Sequence, residues 1–96
     1  MKTYKFYCDP GHGWMAVKVQ ELHELGIMFK ISSYSYLRGK TAYLEEDCDA
    51  AEFFKAYREK HGVDPKYVYN HTDNRSPIRS YDSYNQNKVV NIALKG

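Results

Sequence analysis

The sequence predicts one α+β domain over residues 1–96, a small antiparallel sheet with two helices on one face. Three observations lead there. Its 96 residues suffice for a single modest core and leave no room for a second. Short aromatic-rich stretches of two-residue period share the chain with two stretches of helical period. Their order is strand, helix, strand, strand, helix, strand. That is the split βαβ, ferredoxin-like arrangement, here followed by an extra C-terminal hairpin or strand.

The alternation in TYKFYC, residues 3–8, makes a first strand, ended by Pro10 and Gly11. WMAVKV, residues 14–19, either extends as another short strand or leads directly into a helix. In VQELHELGI, Val19, Leu22 and Leu25 keep helical spacing and Gly26 supplies a left-handed stop. ISSYSYLRGKTAYLEE, residues 31–46, reads as a hairpin turning at Arg38-Gly39. In that register Tyr34 faces Tyr43 and Tyr36 faces Thr41, with Ile31, Ser33, Leu37, Ala42 and Leu44 on the other side.

DAAEFFKAYREKHG, residues 49–62, is the strongest element. Asp49 is an N-cap candidate with Glu52 three residues on, Ala50, Phe53, Phe54 and Tyr57 share a face, and Gly62 with Asp64-Pro65 ends the helix. Beyond it KYVYNHT alternates as a strand, DNRS turns, and IRSYDSY returns beside it. Residues 85–96, containing KVVNIALK, form an added strand or a loose tail.

Composition narrows the function. Fourteen Lys and Arg against 12 Asp and Glu leave a net charge of only +2, too little for a protein that coats duplex DNA, although a local basic patch remains open. No apolar run reaches the length of a signal-peptide core or a membrane span, which predicts a cytoplasmic protein with no membrane partner. Cys8 and Cys48 are then reduced thiols rather than a bridge. Ten tyrosines, each an apolar body with a polar tip, suit half-exposed sheet faces and contact surfaces.

Four constellations are candidates for function. Tyr34, Tyr36 and Tyr43 on an open sheet face either stack unpaired bases or pack under the C-terminal strands. Over this one strand RGKTAYLE resembles the RNA-recognition motif, with Arg38-Gly39 before Tyr43, but Thr41 stands where a second aromatic is expected. In HTDNRSPIRSY, His71, Arg75 and Arg79 either clamp a phosphate, carboxylate or partner, or pair with Asp73 and Asp82 in a solvated turn. A histidine among arginines also admits a metal-independent nuclease or hydrolase. The carboxylates of LEEDCDAAE complement the helix that follows, or form an acidic edge for a basic partner.

The fourth is CDPGHGW, residues 8–14. Cys8 and His12 have a spacing zinc ligands use, yet no second close pair accompanies them, so neither a metal nor a cofactor is expected. Asp9 and His12 remain a possible polar site. The simpler reading is a turn in which Pro10 presets one dihedral, Gly11 takes a positive φ, and Gly13 lets the chain reverse toward Trp14.

YCDPGHGWMAV, ELGI, KISSYSYLRGKTAYLEEDCDAAEFF and HTDNRSPIRSY together resemble a family of small proteins encoded by tailed phages and prophages. The resemblance brings no activity, fold or site residues. It implies an accessory protein that binds and redirects a host or phage component, inhibition of a defence complex such as CRISPR being one version. The expectation is therefore a non-enzymatic protein with a protein partner, acting through Tyr34, Tyr36, Tyr43, His71, Arg75 and Arg79. Single-stranded nucleic acid is the alternative partner, and the oligomeric state stays open.

Overall fold

The computed structural model describes residues 2–95. In β1 (Thr3–Cys8), Tyr4 and Phe6 enter the core while Lys5 and Tyr7 lie on the opposite face, as successive residues of a strand must. A tight turn leads directly into β2 (Gly13–Lys18), which sends Met15 and Val17 to the same core. WMAVKV is thus mainly a strand, and the ferredoxin-like connection does not form: β1 and β2 are hairpin neighbours with no helix between them. The expected helix follows as α1 (Val19–Glu24), burying Val19 and Leu22, and Gly26 stands beyond its end at φ +74°.

β3 (Tyr36–Arg38) and β4 (Thr41–Glu45) close their hairpin at Gly39-Lys40, one residue later than the sequence suggested. Gly39 takes φ +58° at the first central position, where a primed turn requires a residue that tolerates positive φ. Tyr36 therefore faces Tyr43 rather than Thr41, and Tyr34 lies outside the strand. The pairing shifts by two residues, which preserves parity, so Leu37, Ala42 and Leu44 still face the core. Ile31 is buried and Ser33 exposed, both in the loop before β3.

α2 (Asp49–His61) buries Ala50, Phe53 and Tyr57, half-buries Phe54, and ends at Gly62 with φ +76°. Asp49 is not its cap. Cys48 holds the N-cap position without a side-chain bond, because the Asp49 carboxylate turns back to the loop before β3. β5 (Lys66–His71) then pairs parallel with β1 at one edge of the sheet.

From there the chain does not return beside β5. It crosses through a 3-10 helix (Pro77–Ser80) to β6 (Asp82–Ser83), which pairs with β3 at the opposite edge, giving the order β5-β1-β2-β4-β3-β6. Ser76 accepts from the Ile78 N–H at 3.2 Å and Pro77 sits at the first turn, an arrangement that starts a helix and ends a strand. Buried Ile78 anchors the crossing.

The C-terminal segment is α3 (Gln86–Lys95), neither strand nor tail. Its Val-Val and Ile favour a strand by propensity. Local capping and spacing prevail: Asn85 accepts from the Asn87 and Lys88 N–H groups at 2.9 and 3.2 Å, and Val89, Ile92 and Ala93 form one apolar stripe. The α+β class therefore stands, with three helices contributing to one core rather than two.

Phe53 is fully buried with its ring 5.1 Å from that of Tyr4, so it joins the helix layer to the sheet. Phe53→Ala is expected to cost about 3–5 kcal/mol in denaturant unfolding, whereas Leu94→Ala, at an exposed position, changes stability by less than about 0.5 kcal/mol.

Candidate functional site

The site begins at Asp9, in the turn between β1 and β2. The Asp9 N–H donates to the His12 carbonyl at 2.9 Å, and Asp9 Oδ1 accepts from the Gly11 and His12 N–H groups at 3.0 and 2.9 Å. Self-bonding of this kind is what makes aspartate a turn residue. Gly11 differs from the expectation, since its φ is not positive. Gly13 supplies space: a Cβ there would lie 2.6 Å from Phe6 Cε1.

The same carboxylate also reaches across the fold. Oδ2 accepts from the Ser76 N–H at 3.0 Å and from Arg79 Nε at 2.6 Å, while Arg79 Nη2 donates to Oδ1 at 2.9 Å. The Asp9 side chain is only 1% exposed. The Arg79 guanidinium, then the Ser76 amide, holds its carboxyl far below the usual carboxylate range despite that burial, and Asp9 in turn raises Arg79. A bidentate pair of this geometry is directional as well as strong.

Fixed in this way, Arg79 covers Trp14, with Cζ 5.6 Å from the ring centre, and its Nη2 lies 2.6 Å from His12 Nδ1. A guanidinium only donates, so Nδ1 is the acceptor in this contact. His12 stacks on Trp14 with centroids 6.0 Å apart, and Tyr36 meets the indole edge-on at 6.2 Å. Asp9 touches His12 through its backbone alone; the carboxylate's side-chain partner is Arg79.

These rings and Tyr34 line a cleft of about 360 Å³ together with Arg79, Glu45, Asp47 and Cys48, and Glu45 is the β4 neighbour of Trp14. A second buried carboxylate sets the cleft's rim. Asp49 accepts from the Ser32 N–H at 3.1 Å and the Ser32 hydroxyl at 2.6 Å, and from the Ser35 hydroxyl, whose oxygen accepts the Glu45 N–H at 2.9 Å. Tyr34 stands between these two pinned serines and is 78% exposed.

The structure thus gathers His12, Tyr34, Tyr36 and Arg79 around one cleft, with Asp9 behind it. Tyr43 lies elsewhere on the open face, half-buried between Tyr7 and Tyr81 at 6.1 and 5.2 Å; burial raises its phenol pKa. His71, exposed at the end of β5, sits 3.0 Å from Asp73 and borders a separate pocket of about 280 Å³ with Tyr43, Ile78 and Tyr81. Arg75 is exposed in the loop after β5 and lines neither cavity. Cys8 is half-buried, and burial, then Glu46 and Asp9, pushes its thiol pKa up. Among the described residues no three His, Cys, Asp or Glu side chains form a group able to hold a metal. Ser76 and Ile78 escaped the sequence reading, although Ser-Pro before an apolar residue signals a helix start.

Asp9 makes stability depend on acid pH. Its folded pKa lies below the unfolded value near 3.9, so its contribution is complete above about pH 4 and is lost as pH falls below that. Asp9→Asn is therefore expected to lower Tm at pH 7, with the gap to the parent closing in melting curves recorded progressively below about pH 4. Comparison with protein-family models, curated proteins and solved structures finds no match to this chain, and the site's chemistry rests on its geometry.

Proposed function

We propose that this chain is a non-enzymatic accessory protein that grips a segment of a protein partner in the cleft beside Trp14. The observation that carries this reading is the composition of the cleft: Tyr34, Tyr36 and Arg79 line it, and the buried Trp14, only 2% exposed, backs them. Tryptophan, tyrosine and arginine are the residues on which binding energy concentrates at protein interfaces. The loop bearing Tyr34 is already tied to Asp49, so less ordering is left for association to impose.

Charge supports a polypeptide ligand. Arg79 together with Glu45 and Asp47 offers both signs to a peptide, while the two carboxylates disfavour a polyphosphate strand at this end of the face. Catalysis has weaker support, because Asp9 and Arg79 are committed to each other and to the turn. The resemblance to phage proteins makes the partner a host or phage component.

A photocrosslinking amino acid at position 34, used in phage-infected bacteria, is expected to capture one specific protein. With that protein purified, Tyr36→Ala is expected to weaken binding about 30-fold, the effect of a truncation worth about 2 kcal/mol. Capture from position 67 on β5 but not from position 34 would place the interface elsewhere and reject this reading.

A further inference from the structure

Away from the cleft, the helix-free face of the sheet has a different chemistry. Strand registers set Lys66 beside Thr3 and Lys18 beside Thr41, with Arg38 on the far side of Thr41. Continuing the β1–β2 register by two residues beyond Lys5 and Ala16 brings Thr3 beside Lys18. A single row therefore runs Lys66, Thr3, Lys18, Thr41, Arg38, spanning roughly 19 Å across five strands. The adjoining row is Val68, Lys5, Ala16, Tyr43, Tyr36.

Four cations stand in these two rows and no carboxylate does. Lys5, Lys18, Arg38 and Lys66 are all exposed, and none forms an ion pair among the described residues. Ala16, the small residue between Lys5 and Tyr43, lies in a groove of about 310 Å³ bordered by Tyr7, Tyr43, Lys5 and Lys18. At its side the Arg38 guanidinium lies over Tyr81, 4.9 Å from the ring centre, and Tyr81 in turn meets Tyr43.

We infer that this half of the open sheet face binds single-stranded RNA. Phosphates take the row of cations, and unpaired bases stack on the tyrosines and on the guanidinium plane of Arg38, the two surfaces that hold splayed bases on sheet platforms. Thr3 and Thr41 flank Lys18 with hydroxyls that have no protein partner among the described hydrogen bonds, in place to meet ribose 2′-hydroxyls. Glu45, which follows Tyr43 on the same face of β4, ends the basic surface and keeps the strand out of the protein cleft. This site does not rest on the cleft's function.

Fluorescence anisotropy with a labelled oligouridylate of about twelve nucleotides tests it on the full chain. Binding is expected at low salt, with log affinity falling against log salt at a slope of about −3 for four phosphate contacts. Lys5→Glu with Lys18→Glu is expected to weaken binding at least tenfold and to flatten the slope by about 1 to 2. Lys55→Glu with Lys60→Glu, an equal charge change on exposed positions of α2, is expected to leave binding unchanged once circular dichroism shows both variants folded. Absence of binding at low salt, or equal loss in both double variants, overturns the site. A deoxythymidylate of the same length is expected to bind several-fold more weakly; equal or tighter binding overturns the assignment to RNA.

Discussion

Asp9 accepts five hydrogen bonds while its side chain is almost fully buried, two from its own turn, one from Ser76 and two from Arg79. A carboxylate so placed is stable only while its charge is matched. That condition forces the segment after β5 over the β1–β2 turn. It thereby fixes where Arg79 lies, how Trp14 is covered and where His12 points. Ser76 and Ile78 are positioned by the same crossing, and β6 reaches the far edge of the sheet because of it.

The helix-free face is consequently divided rather than uniform. At the Asp9 end, side chains of both signs surround stacked rings. Toward the Gly39 hairpin, lysines and an arginine accompany tyrosines without carboxylates. A net charge of +2 conceals this segregation, because buried Asp9 and Asp49 are internal ligands and many other acids lie on the helices and their flanking loops. Average charge is a poor guide to a small protein whose acids and bases occupy different surfaces.

Elements governed by neighbouring residues were legible in the sequence. Alternation placed β1, helical spacing placed α1 and α2, and Gly62 marked an ending that its φ of +76° explains. Parity of the β3–β4 hairpin survived an error in the turn, since a two-residue slip leaves every side chain on its face. What was hidden depends on distance or competition. Val89, Val90 and Ile92 look like a strand until the Asn85 cap is weighed, and IRSYDSY looks like the partner of β5 until Asp9 claims Arg79. Of the site, the residue types around the cleft were readable, but not which of them meet: Tyr34 needs the Asp49–serine bonds, and Arg79 needs Asp9.

Arg79 lies 70 residues from the carboxylate it neutralises. The turn's local amides can engage Asp9 as soon as β1 and β2 exist, yet its charge waits for nearly the whole chain to be in place. Contacts that close such long loops carry a large entropic cost before they contribute, and they slow folding more than they alter final stability. The domain's assembly is therefore timed by its last quarter: a chain ending before Arg79 has the hairpins and the first two helices in sequence, but not the cation that permits the first turn to be buried.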